Sequence, residues 1–269
     1  MDQIVFHGTG LHTGAQCAVG LRRRSGGLAF LQDGHSAALD ELSVVRADRG
    51  VQVRSDSGLQ VDLVEHLLAA MAGLSIRRDL EVQLTGPEVP LLDGGALEIS
   101  RALGALDLPR DPPCLRVVQA GDIHVDGTRY AFEPGDAIEI EVDVEFRGVG
   151  AESARWSGDA DEFLLEIAPA RTFGYSDEAD ELREAGRAGH VDPHAVIVLE
   201  PDGSVAPPGE PPRPAELARH KLLDLLGDLY LFGGPPLGRL RASRPGHARN
   251  QRAMRQALEY GLLEPLEHH

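Results

Sequence analysis

The chain has 269 residues, 42% of them hydrophobic and 26% charged, so it can bury a sizeable core and remain globular. A formal net charge of −17 argues against a nucleic-acid backbone or an anionic lipid surface as partner, and no apolar run is long enough to span a bilayer. Two cysteines, Cys17 and Cys114, make no disulfide framework, and the opening MDQIVFHGTG lacks the basic-then-apolar order of a signal peptide, so a cytoplasmic protein is expected.

In chain order, QCAVGLR (16–22) and LEVQLTG (80–86) read as strands. Between them DLVEHLLAAMAG (62–73) reads as a helix, with Asp62 as its N-cap and Gly73 as its stop. EISRALGAL (98–106) is a second helix, and the proline-rich LPRDPPC (108–114) divides the chain into a segment 1–110 and a segment 115–265. The second segment opens with strands in LRVVQAGDIHV, RYAFEP and AIEIEVDVEF, then has an insert at about 175–195 and a strand in VDPHAVIVLEPDG. A proline-rich loop (207–214) leads into a helix over roughly 214–232, opened by Pro214 and stopped by GGPP, and a last helix covers about 248–260. The closing residues 266–269, LEHH, read as a tag remnant. The pattern predicts an α+β fold, with the helices of each half packed between or against sheets.

Three stretches carry candidate chemistry. In ARHKLLDLLGDLY (218–230), His220, Asp224 and Asp228 recur every four residues and share one stripe of the helix, opposite Leu222, Leu225, Leu226 and Leu229. The stripe is either the wet face of an amphipathic helix or part of a metal site. Lys221 beside it is the single lysine of a chain that otherwise uses arginine, which suggests that a compact, mobile ammonium is wanted there. Glu65 and His66 open an otherwise apolar helix, where a carboxylate near the positive end of the dipole competes with a catalytic reading. In RPGHARN (244–250), Pro245 and Gly246 hold helix formation off until His247. Taken together, His66, His220 and Asp224 offer zinc two imidazoles and a carboxylate with an open position. Glu65 would then be a base and His247 an acid, with Asp228 placed to hold a proton on His247.

VEHLLAAMAG (64–73), PEVPLLDGGA (87–96), ARTFGY (170–175), RHKLLDLLGDLYL (219–231) and PGHARN, with the opening HGTGLHTG (7–14), resemble the zinc-dependent UDP-3-O-acyl-N-acetylglucosamine deacetylases of lipid A synthesis, the LpxC family. The resemblance runs from residue 5 to about residue 260, in order. It implies a β/α sandwich of two similarly folded domains with helices packed between the sheets and a Zn2+ site at their interface. It implies His66, His220 and Asp224 as ligands, Glu65 as general base, His247 as general acid and Asp228 as its orienting partner. Thr172 would help hold the oxyanion, Lys221 would supply positive charge nearby and Phe173 would border the substrate; Arg171, Arg244 and, outside the family pattern, His190 and His194 are further candidates for substrate contact. The expected reaction is hydrolysis of the acetamide of an acylated UDP-N-acetylglucosamine to the amine and acetate, by a monomer without stable membrane insertion.

Departures from the family pattern fall outside the metal set. Leu63 stands two residues before the Glu-His pair where the family has Thr, and Glu133 stands where a nucleotide-binding lysine is expected. RGVGAESARW lacks the usual His-Pro, AGHVDPH supplies His190 and His194, and SDEADELREAGRAG (176–189) is crowded with charge where an apolar acyl passage is expected. These leave open a paralogue that keeps the catalysis but takes a less lipophilic N-acetyl sugar or another acetamide. Ferrous iron would fit the same ligand types. A non-catalytic sensor is disfavoured by the retained Glu65, His247 and Asp228, and a zinc peptidase by the absence of HExxH.

Overall fold

The computed structural model describes residues 3–178 and 192–266. His190, most of the insert, and residues 267–269 of the tag lie outside the described residues.

Two five-stranded sheets are wound the same way. The first is built from β1 (Ile4–Thr9), β2 (Gln16–Gly27), β3 (Ala29–Gln32), β4 (His35–Ala38) and β8 (Arg78–Thr85), in the order β1-β2-β8-β3-β4. Three short strands between β4 and β8, β5 (Ser43–Arg46), β6 (Gln52–Arg54) and β7 (Gln60–Val61), make a small sheet of their own. The second large sheet holds β10 (Gly121–Val125), β11 (Thr128–Glu133), β12 (Ile138–Phe146), β13 (Gly150–Trp156) and β16 (Gly238–Ser243), in the order β10-β11-β16-β12-β13. In both, the last strand in sequence is inserted at the centre, antiparallel to one neighbour and parallel to the other. A helix precedes each central strand, α1 (Glu65–Gly73) in the first half and α3 (Glu216–Tyr230) in the second, and another follows it, α2 (Leu97–Ala105) and α4 (His247–Glu259). The fold is the expected α+β sandwich, with one topology used twice.

The two pre-central helices lie in the middle. Every residue of α1 is buried, and α1 packs along α3. One apolar core joins Leu21, Phe30 and Val82 of the first sheet and Phe132, Val142 and Leu240 of the second to Leu68 of α1 and Leu226 of α3. A helix buried on all sides needs apolar residues all round, which EHLLAAMAG supplies after its first turn. The polar residues at that first turn therefore sit in the interior, where each must find a partner.

Local details differ from the sequence expectations. Asp62 does not cap α1: its carboxylate accepts bonds from Arg46 and, at 2.9 Å, from Gln52, while Leu63 turns the chain in the left-handed region at φ 58°. The helix then starts at Glu65 with Val64 as N-cap. α3 begins at Glu216 and not at Pro214, because Ala215 is itself left-handed at φ 56°. LRVVQAGDIHV is two strands, β9 (Leu115–Val117) and β10, and β9 leaves the large sheet to pair with β17 (Leu263–Pro265). Among the described residues no helix is long and apolar enough to cross a membrane.

Candidate metal centre and active site

The crossing of α1 and α3 brings His66 of one half against His220 and Asp224 of the other. Their ring centroids are 5.1 Å apart and nearly perpendicular, and one ligand atom from each of the three residues lies within 4.8 Å of the others. Asp224 Oδ1 is 3.4 Å from Nε2 of His220 and 3.8 Å from Nε2 of His66. The second oxygen, Oδ2, accepts a 2.7 Å bond from Lys221 Nζ, which gives the single lysine a place. His220 donates from Nδ1 to the Ala170 carbonyl at 3.0 Å, so the lone pair of that ring is on Nε2, facing the carboxylate. Among the described residues this is the one group of metal-ligand type so arranged.

Burial drives His66 down to about 3, reinforced by His220, and burial also lowers His220, so both imidazoles are biased toward the neutral form that can bind a cation. Burial works against ionisation of Asp224 too, yet Lys221 and the surrounding histidines hold its carboxyl well below the usual range. Two neutral imidazoles and one carboxylate, converging and buried, fit a divalent cation with room for further ligands.

Glu65, at the first turn of α1, accepts the Val51 N–H at 2.9 Å, and burial lifts its carboxyl to about 7. His247 opens α4, after Arg244 turns the chain at φ 57° and Gly246 runs extended into the helix. Its Nδ1 is 2.9 Å from Asp228 Oδ2, and its Nε2 is 3.8 Å from Asp224 Oδ2. Burial would lower this imidazole, but Asp228 and then Asp224 raise it to about 9.

Thr172 and Phe173 lie on β14 (Thr172–Tyr175), which pairs in parallel with β15 (Val196–Leu199). The DGG turn of the 87–96 motif buttresses this strand: Thr172 N–H donates to the Gly94 carbonyl at 2.8 Å. Gly94 is left-handed at φ 80°, and a Cβ there would lie 1.7 Å from the Ala195 carbonyl oxygen. Phe173 meets His220 edge to face at 5.9 Å and Phe146 at 5.3 Å.

Glu65, His66, Thr172, Phe173, His220, Lys221, Asp224 and His247 open on one cavity of about 860 Å³, with Asp228 buried behind His247. Its lining joins the apolar Leu63, Val144, Phe146, Phe173, Val196 and Val198 to the cationic Arg49, Lys221, Arg244, Arg249 and Arg252, with Asp48, Asp126, Glu145 and Glu178 also on it and Arg252 paired with Asp126. Several substrate-side expectations come out differently. Arg171 does not line the cavity; its guanidinium and its backbone N–H bind the buried carboxylate of Glu216 at 3.0 and 3.1 Å. His194 is exposed and does not line the cavity, and Glu133 pairs with Arg239 at 3.1 Å. The sequence reading passed over His12, which lines the cavity from within HGTGLHTG, and Phe146, which looked only like a strand end. It also passed over Asn250, inside PGHARN, which donates to Asp228 at 2.6 Å.

Comparison with known proteins matches residues 1–259 to the LpxC family, UDP-3-O-acyl N-acetylglycosamine deacetylase. A UDP-3-O-acyl-N-acetylglucosamine deacetylase of Phenylobacterium zucineum is 30% identical over 93% of this chain and 89% of its own. One from Myxococcus xanthus is 31% identical over 94% of this chain and 83% of its own. One from Chromobacterium violaceum is 34% identical over 76% of this chain and 69% of its own.

Proposed function

The chain belongs to the UDP-3-O-acyl N-acetylglycosamine deacetylase family of hydrolytic N-deacetylases, and from that premise we propose that it removes the acetyl group of a UDP-3-O-(3-hydroxyacyl)-N-acetylglucosamine. His66, His220 and Asp224 would hold a divalent cation, zinc by the family's habit. Such a cation, when bound, supplies a Lewis acid that polarises the amide carbonyl and brings the pKa of water to about 7.

The residues divide the remaining work. Glu65, anchored by the Val51 N–H and lifted toward neutrality by burial, takes a proton from the attacking water. The water oxygen bonds to the acetyl carbon, and the carbonyl oxygen gains negative charge near Thr172 and Lys221. The C–N bond then breaks as His247 gives the proton on its Nε2 to the departing amine, which leaves acetic acid; this ionises to acetate, the proton held by Glu65 passes to solvent and His247 regains one. Asp228 keeps Nδ1 of His247 protonated throughout. Substrate placement follows the two characters of the cavity: the cationic groups suit a diphosphate, and the apolar wall suits an acyl chain.

The observation that carries the acylated substrate is that Phe173 touches both His220 and Phe146, so an apolar wall starts at the His/His/Asp group itself. Each CH₂ buried there is worth about 0.8 kcal/mol. The test is acetate release by zinc-loaded protein from UDP-3-O-(3-hydroxymyristoyl)-N-acetylglucosamine beside UDP-N-acetylglucosamine. Turnover favouring the acylated compound is expected. Equal turnover of both, or turnover of the unacylated sugar alone, would move the protein to a more polar substrate.

A further inference from the structure

Behind the proposed acid a buried chain of hydrogen bonds runs across three elements. His247 Nδ1 meets Asp228 Oδ2 at 2.9 Å, and Asn250 Nδ2 donates to the same oxygen at 2.6 Å. Asn250 Oδ1 in turn accepts the Tyr130 hydroxyl at 2.6 Å and the Gly246 N–H at 3.2 Å. Asp228 and Tyr130 are 0% and 1% exposed, and Asn250 is 1% exposed, so water does not compete for these bonds.

The orientation of the carboxamide is fixed by its neighbours. A backbone N–H can only donate, so the atom of Asn250 facing Gly246 must be the oxygen, which leaves the NH₂ group for the carboxylate. The Tyr130 hydroxyl must then donate to that oxygen, and burial, which pushes its pKa up, keeps the proton in place. Both donors to Asp228 use Oδ2, and Oδ1 has no partner among the described residues. His247 and Asn250 are thus the two groups that hold this carboxylate's rotation. Asn250 ties it to β11 through Tyr130 and to the N-cap of α4 through Gly246, the residue from which His247 is hung.

We infer that Asn250, backed by Tyr130, is a positioning residue for the reaction: its carboxamide locks Asp228 against His247 and so holds the acid's Nε2 over the cavity, toward Asp224. This rests on the reading of His247 as proton donor. The carboxylate alone would leave the imidazole one rotatable partner, whereas the braced carboxylate fixes both tautomer and tilt. A misplacement of that donor on the order of 1 Å costs about 100-fold in rate.

The test uses the full chain, zinc-loaded, with Asn250→Ala and Tyr130→Phe made singly and in a His247→Ala background. Asn250→Ala is expected to lower kcat about 10- to 100-fold with KM and bound zinc unchanged, as loss of an orienting partner does. Tyr130→Phe, which leaves the Gly246 bond to Asn250 intact, should lower kcat measurably but less than Asn250→Ala does. In the His247→Ala background neither change should cost anything further, because the group it positions is gone. An equal loss in both backgrounds would overturn the inference, as would a lowered melting temperature with unchanged kcat. A second readout does not depend on substrate: the proton NMR signal of His247 Nδ1–H, assigned by its absence from His247→Ala, should be sharp in the parent and broadened by exchange in Asn250→Ala. If the parent releases no acetate, the substrate reading has failed and this signal decides alone; its persistence in Asn250→Ala would reject the positioning role.

Discussion

Gly227 lies directly against the backbone of Glu65: a Cβ at position 227 would sit 2.1 Å from the Glu65 carbonyl oxygen. Gly227 falls between Asp224 and Asp228 on α3, and Glu65 precedes His66 on α1. The closeness of the two helices, and with it the spacing of the proposed ligands His66, His220 and Asp224, therefore depends on a missing side chain.

Gly227→Ala should push α1 and α3 apart where they carry the ligands. Overpacking of this kind costs about 1–3 kcal/mol, and the ligand atoms would separate along with the backbones. The expected result is a lower melting temperature by calorimetry together with less zinc retained after dialysis. A melting temperature that falls while zinc retention stays at the parent level would show that the ligand spacing is set elsewhere.

Glu65 and His66 are neighbours with separate tasks, and their variants should part company. Glu65→Ala should keep bound metal and lose turnover by about 10²- to 10⁴-fold, the usual weight of a general base. His66→Ala should lose metal first, because it removes one of the three proposed ligands. Metal content by elemental analysis and acetate release, measured on the same samples, separate the two. Full activity in Glu65→Ala would remove it from the role of base.

Glu88 predicts a pH dependence of stability. It is 1% exposed and accepts the backbone N–H groups of His12 at 3.0 Å and Thr13 at 2.6 Å, which pins the loop that brings His12 to the cavity. Burial would raise its carboxyl, but the hydrogen bonds from His12 and Thr13 together bring it down to about 2, against an ordinary value of 4.5. A folded value below the unfolded one means that the stabilisation is complete above about pH 4.5 and is lost as pH falls toward 2. It is on the order of 3 kcal/mol. Glu88→Gln should therefore melt well below the parent at pH 7 and close to it at pH 2.5. A gap of the same size at both pH values would assign the loss to packing.

The His220–Asp224–Asp228 stripe was legible because helical periodicity alone puts residues four apart on one face. Whether that face met solvent or a cleft was not, since the answer lies in α1, more than 140 residues earlier in the chain. Lys221 was singled out by composition, and its bond to Asp224 supplies the reason. Arg171 was misleading for a physical reason: a motif cannot report that the guanidinium is already paired with a buried Glu216 from another element. Tyr130 was invisible as a partner of Asn250, because the two lie 120 residues apart in sequence and meet only once the second sheet brings β11 against α4. Asp62 looked like a cap because its residue type favours one, but Leu63's left-handed turn moved the helix start past its reach.

The apolar wall gives a prediction about substrate choice that leaves the chemistry alone. Val198, on β15, lines the cavity, is only half-buried, and packs beside Leu63 and Val196. Val198→Glu should leave turnover of a short-chain or unacylated sugar near the parent value while lowering kcat/KM for the myristoylated one. A charge there would deny burial to two or three CH₂ groups at about 0.8 kcal/mol each, which amounts to roughly 15- to 60-fold. The comparison of the two substrates on one variant cancels any loss of folded protein, since both see the same sample. A parallel fall for both would place the acyl chain away from β15, and the wall formed by Phe146 and Phe173 would then be the place to substitute next.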